Sequence, residues 1–374
     1  MNNTQKQLFS CINYQIHDKR STELNISEKD FDKLYSFANR NDLAHLLYDP
    51  LSEFITTPAS FESKKAEAIL RCSTQMYVLN EIEKAFIDSN VDYAILKGSI
   101  IRNFYPEPWM RTSADIDILV HEHDIKNASR ILENNLGFTH HGLDGAIHIS
   151  FIKGLANVEL HTKLIPNDSV WDTDDILGNV WSHISSHQLD FKLYYYFHLI
   201  HIAKHLSNSG CGIRPFLDLW IIRNKWYTPE QVVEASDFCR NAGLGVFERN
   251  CVSISEKWFG ISDNSPDIDS DFERFILENG IYGSTKSNVV LNIGKRNKIK
   301  YLFYRTFMPY NLMCIRYPIV KKVPFLLPFM WIVRWVQVIT QNDSKRVRNE
   351  ALAIANTSNE SANAVNQMLI RIGL

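Results

Sequence analysis

The chain has 374 residues, of which 45% are hydrophobic and 22% charged, and its formal net charge is −2. That balance describes a globular protein long enough for two or three domains, with a core that needs no disulfide or structural metal. It excludes a disordered tail, a collagen-like fibre, a small disulfide scaffold and a chain drawn to polyanions by its overall charge.

The six cysteines, Cys11, Cys72, Cys211, Cys239, Cys251 and Cys314, form no C-x-x-C pair. They read as buried thiols in a reducing compartment rather than as a disulfide frame or zinc site. The first twenty residues lack a continuous apolar core, and no run of about 18 apolar residues occurs, so neither a signal peptide nor a membrane span is expected. The expected address is the cytoplasm.

Residues 1–90 read as helical. The spacing over 64–89 places Ile69, Cys72, Met76, Leu79, Ile82 and Phe86 near one helical face, and Asn90 can end that helix. The texture then changes. Tyr93–Leu96 is a short apolar run, read as a buried strand, followed by the turn Lys97-Gly98-Ser99 and a short helix. Pro106 and Pro108 force a loop. Asp115–Val120 (DIDILV) has a strand signature, Asp124 can cap a helix running to about Asn135, and Gly137 can stop it. Two further strands are predicted, Ala146–Ile152 and Asn157–Thr162, joined near Lys153-Gly154. From 190 to 277 the pattern turns helical, interrupted by the loop 208–212 and by a polar, acidic segment at 262–271. Residues 290–350 carry twelve Lys and Arg against Asp343 and Glu350 only, an asymmetry that the neutral total hides. The reading is an α+β chain with N-terminal helices over 1–90, an α/β domain with a mixed sheet over 91–188, and a helical domain with a basic end over 189–374.

Two features converge at 96–120. Asp115 and Asp117 stand two apart on a predicted strand, so both carboxylates face one side and repel unless a cation lies between them. Mg²⁺ takes oxygen ligands and often uses one or two carboxylates together with substrate phosphates. Gly98-Ser99 sits where a strand turns into a helix; glycine permits close approach, and free amides with a positive dipole end suit phosphate. The combination describes a nucleoside triphosphate site.

This stretch resembles the nucleotidyltransferase superfamily with the polymerase-β-like fold, whose pattern is Gly-Gly or Gly-Ser, a spacer, acid–apolar–acid, and a third acid on a later strand. Glu159, in Val158-Glu159-Leu160, fits the third position. The spacer of 15 residues between Ser99 and Asp115 is long for the superfamily. LKG, YPEP and R-x-S-x-D-I-D-I-L-V are similar to one branch, the bacterial family labelled uncharacterised nucleotidyltransferase. So are HLIHIAKH at 198–205 and GCGIRPFLDL at 210–219.

The resemblance implies transfer of a nucleoside monophosphate from an NTP to a hydroxyl of a sugar-derived, protein or RNA acceptor. Asp115, Asp117 and Glu159 would hold Mg²⁺, with Mn²⁺ as the alternative, in a two-metal arrangement. Gly98 and Ser99 would hold phosphates, Lys97 and Arg111 would offset charge on the leaving pyrophosphate, and Lys204 would contact phosphate from the helical region. Arg214 and Asp218, four apart, read as a structural pair. The alternative is a protein on the same fold that binds nucleotide without turnover.

Other constellations are weaker. His198, His201 and His205 share a helical face, but no fourth zinc ligand is evident, so hydrogen-bonded core histidines are favoured. Asp267, Asp269 and Asp271 alternate without an EF-hand frame and read as a solvated loop. Within 320–340, Trp331 and Trp335 lie on one face with Lys321, Lys322 and Arg334 nearby. That combination suits an anionic membrane surface, although a helix closing the substrate domain is favoured. The same charge could meet nucleic acid, but no recognised nucleic-acid module occurs in the sequence, so that partner is not favoured.

Overall fold

The computed structural model describes residues 1–17, 30–141, 148–165, 174–261, 268–281, 283–340 and 344–374. The chain divides into two compact units: Met1–Ile202 with Ile213–Asp267, and Ala203–Gly212 with Ile268–Leu374.

The first unit contains a five-stranded mixed sheet of β1 (Tyr93–Ile95), β2 (Ile116–Val120), β3 (Thr139–His141), β4 (His148–Lys153) and β5 (Ala156–His161), in the order β1-β2-β5-β4-β3. The fold is α+β, as expected, with helices at both ends of the chain. β2 and β5 pair in parallel; the other neighbours in this sheet are antiparallel. Alternation separates the faces. Ile116, Ile118, Val158, Leu160 and Phe151 are buried on the apolar face. Asp117, Glu159, His161, Ser150 and His148 share the other, because directly paired residues point the same way.

β2 and β5 lie within one residue of their predicted starts. Of the predicted strand Ala146–Ile152, residues 146 and 147 lie outside the described residues. β3 and a small hairpin of β6 (Ile184–Ser185) and β7 (Gln188–Leu189) carry no alternating signature long enough to be read from sequence. Gly137, at φ +69°, stands where a terminator was expected, just after the helical residues that end at Asn135.

The long helix spans Ala59–Asp88 and ends against Asn90, at φ +53°. Its buried stripe differs from the predicted one. Phe61, Ala68, Cys72, Gln75, Ile82 and Phe86 are buried, whereas Ile69 and Met76 are exposed. The shift follows from Gln75. Its amide donates to the Ser113 carbonyl at 3.1 Å and accepts from Arg102 Nη2 at 2.8 Å, so the helix turns a polar residue inward to hold the segment before β2.

In the second unit, Val289, Val290, Ile293, Tyr301, Ile354 and Ala362 form a core cluster. The helix Leu327–Thr340 turns its tryptophans inward: Trp331 and Trp335 donate to the carbonyls of Met308 and Thr306 and meet the Phe307 ring. These tryptophans and Arg334 therefore do not form the membrane-facing side of the less favoured reading, and the inward packing agrees with the favoured one of a packed helix. Arg334 is buried, and the exposed residues are Phe325, Phe329, Ile332, Val333 and Val336. No helix among the described residues is long and apolar enough to cross a membrane.

Candidate active site

The parallel register of β2 and β5 sets Asp117 directly beside Glu159, and period-two alternation adds His161 to the same face. Asp117 Oδ1 accepts from Lys97 Nζ at 2.7 Å and from His161 Nε2 at 2.7 Å, while His161 Nε2 lies 3.4 Å from Glu159 Oε2. Asp117 is 3% exposed. Burial alone would raise its pKa, but Lys97 and His161 outweigh it and hold the carboxyl well below the usual range. Glu159 is held low chiefly by its hydrogen bond to His161. Burial opposes the charged forms of Lys97 and His161, yet their carboxylate partners raise both pKa values. Asp115 precedes β2 rather than lying within it. It accepts from Ser113 Oγ at 3.3 Å, and burial with the neighbouring Asp117 pushes it up to about 6.

The turn preceding the cluster is strained. Lys97 adopts φ +47° and ψ −124°, a conformation that costs a residue with a Cβ on the order of 1–3 kcal/mol. Tyr194 Oη donates to its carbonyl at 2.9 Å. The conformation aims the Lys97 ammonium at Asp117 and starts the helix Gly98–Ile101. That helix is a single turn, so its dipole is small; what remains for an anion is the pair of leading amides, which have no intrahelical acceptor. Space around Gly98 is tight. A Cβ there would come within 3.2 Å of Ser113 Oγ and 3.4 Å of Arg111 Nη1.

Arg111 lies beneath this turn. Expected at the leaving group, it is instead buried with Asp218: its Nε stands 2.7 Å and 2.9 Å from the two carboxylate oxygens, which leaves its charge already balanced. Tyr105 Oη donates to the same carboxylate at 2.7 Å. Asp218 was expected to pair with Arg214 along its own helix, Arg214–Ile221. The structure gives each a partner from outside that helix, since Arg214 Nη1 bonds Asp42. Lys204 belongs to the second unit, on the helix Phe191–Asn208.

Sequence reasoning missed His161. The signal was present, because V-E-L-H alternates and puts the imidazole on the same side as Glu159. Among the described residues, Asp117, Glu159 and His161 are the one group whose ligand atoms all lie within 4.8 Å of one another. Asp115 lies outside that group, but two carboxylates and an imidazole converge in it and Asp117 Oδ2 takes no hydrogen bond from the described residues, so the donor set suits a divalent cation.

His198 bonds the Pro215 carbonyl at 2.9 Å, and the three helical histidines form no metal-ligand group among the described residues. Asp269 caps the helix Ser270–Glu278 and pairs with Arg371; Asp267 lies outside the described residues.

A family model described as uncharacterised nucleotidyltransferase matches residues 27–260, more than half of the chain and all five strands of the sheet. The chain belongs to that family. No curated protein and no solved structure matches it. The membership makes this a nucleotidyltransferase-family chain, a transferase class whose substrate is a nucleoside triphosphate.

Proposed function

We propose that this nucleotidyltransferase transfers a nucleoside monophosphate from an NTP to a hydroxyl acceptor, dependent on Mg²⁺ or Mn²⁺. The observation that carries the reading is the β2–β5 register, which faces Asp117 with Glu159 beside the Lys97-Gly98-Ser99 turn. Asp115, Asp117 and Glu159 hold the metal, in the two-metal form common to such chemistry. A divalent ion there supplies Lewis-acid neutralisation of phosphate charge. The amides of Gly98 and Ser99 receive phosphate oxygens. Glu159, whose side chain is 21% exposed, is within reach of an acceptor hydroxyl and takes its proton as the hydroxyl oxygen bonds to the α-phosphorus and the bond from that phosphorus to the departing pyrophosphate breaks. Lys97 keeps Asp117 ionised before substrate arrives. The six free cysteines support a reducing compartment.

The test is pyrophosphate release from each labelled NTP with Mg²⁺ or Mn²⁺, with and without cell extract. Release that needs metal and disappears in Glu159→Gln supports turnover. Nucleotide binding without release in any extract would make the protein a sensor.

We further propose that residues 320–340 meet an anionic membrane surface. Phe325, Phe329, Ile332, Val333 and Val336 are spaced at helical intervals and exposed, Phe325 at 76%, with exposed Lys321 and Lys322 just before them. The expected result is sedimentation with phosphatidylglycerol vesicles, weakened by salt and lost in Phe329→Glu; equal binding to phosphatidylcholine would refute it.

A further inference from the structure

The second unit carries an open pocket of about 480 Å³ that the nucleotidyl chemistry does not use. Arg305, Arg316 and Arg334 share its wall with one carboxylate, Glu350. That acid is already engaged. It receives Arg305 Nε at 2.5 Å, Arg305 Nη2 at 2.6 Å and the Tyr301 hydroxyl at 3.1 Å. Arg334 is 8% exposed, and its buried Nε has no hydrogen-bond partner. Burial lowers its pKa, as do the charges of Arg305 and Arg316, while Tyr317 and Glu350 oppose them. A buried cation whose carboxylate neighbour is already bound by Arg305 is costly, and the sequence supplies no Asp or Glu between Glu278 and Asp343. The rest of the wall is largely apolar, including Leu302, Met308, Trp335 and Ile354.

We propose that this pocket binds a phosphate group carried on an apolar body, with Arg334 and Arg316 on the phosphate and Leu302, Trp335 and Ile354 against the remainder. Guanidinium forks match phosphate oxygens in pairs, and an anion between Arg316 and Arg334 removes their mutual repulsion. The phosphate has two sources, a soluble alkyl phosphate or the headgroup of a lipid. The site lies wholly within the second unit and stands independently of the nucleotidyl-transfer reading.

The experiment uses the full chain without metal or nucleotide, titrated with inorganic phosphate, hexyl phosphate and dihexanoyl phosphatidic acid, and followed by calorimetry and thermal unfolding. Hexyl phosphate is expected to bind at least about tenfold more tightly than inorganic phosphate and to raise Tm. Arg334→Met, which removes a buried cation whose Nε lacks a hydrogen bond, is expected to keep or raise the ligand-free Tm while weakening hexyl phosphate at least about tenfold. Arg316→Gln, at an exposed position, is expected to weaken it with Tm unchanged. Lys97→Gln, in the nucleotidyl site, leaves hexyl phosphate affinity as it was. Phosphatidic acid binding as well as hexyl phosphate assigns the lipid source, and its exclusion assigns the soluble ester. A lower ligand-free Tm in Arg334→Met with affinity retained, or no response to any phosphate compound, overturns the proposal.

Discussion

Replacing each of the two facing acids separates folding from chemistry. Asp117 is almost fully buried and takes two charge-assisted bonds of 2.7 Å. Asp117→Asn removes its charge and leaves Lys97 facing an amide. Breaking a buried pair from one side costs about 3–5 kcal/mol. Part of that is recovered, because losing Asp117 removes one of the two carboxylates that raise the His161 pKa, and burial already favours the neutral imidazole. About 3 kcal/mol remains, or a fall of roughly 6–12 °C in Tm for a unit of this size. Glu159 differs. Its side chain is 21% exposed and its contact with His161 is 3.4 Å, at the limit of a useful hydrogen bond. Glu159→Gln should therefore cost under about 1 kcal/mol of stability. Activity should not follow stability. Each variant loses a metal ligand worth about 4 kcal/mol in the transition state, hence roughly 10³-fold in pyrophosphate release. Calorimetric unfolding and a pyrophosphate assay on the same preparations read both quantities. If Glu159→Gln keeps a tenth of wild-type activity, or if Asp117→Asn melts with the wild type, the reasoning is refuted.

Three other predictions follow from the same region. Lys97→Gly should be about 1 kcal/mol more stable than Lys97→Ala, because both lose the ammonium but only glycine accepts φ +47° at low cost; equal Tm values would remove the strain. Gly98→Ala should displace Ser113 and Arg111 and reduce pyrophosphate release by about tenfold or more; unchanged kinetics would mean that the turn has slack. Asp218 has a folded pKa depressed by Arg111 against the effect of burial, so its pairing contributes stability above the unfolded value of about 3.9, and that contribution fades as pH falls through the folded pKa. Asp218→Asn should therefore lose about 3–5 kcal/mol at pH 7 and proportionally less below pH 4, as read from denaturant midpoints across that range; a loss independent of pH would contradict the pairing.

The elements that carry the site were the most legible in the sequence. β2 and β5 each alternate long enough to fix a face, and the turn at Gly98 is marked by its residue types. What was not legible depends on long-range partners. Arg111 looks like any cation near a phosphate site until Asp218, 107 residues later, is brought beneath the turn. The stripe of the long helix was misplaced because Gln75 is buried for its bonds to Arg102 and Ser113 rather than for its hydropathy. β3, β6 and β7 are two or three residues long, too short for periodicity to register. Arg334 hides for the same reason as Arg111, since nothing local distinguishes a buried guanidinium from a solvated one.

The parallel pairing of β2 with β5 also bears on how the protein matures. Asp117 and His161 are separated by 44 residues, and between them the chain must complete a helix and β3 and β4 before β5 can dock. A slip of one residue in that docking would turn Glu159 and His161 to the opposite side of the sheet together. If the proposed metal site is right, divalent-ion affinity appears only after this non-local step, and the growth of metal binding during refolding would serve as a clock for correct strand alignment rather than for collapse.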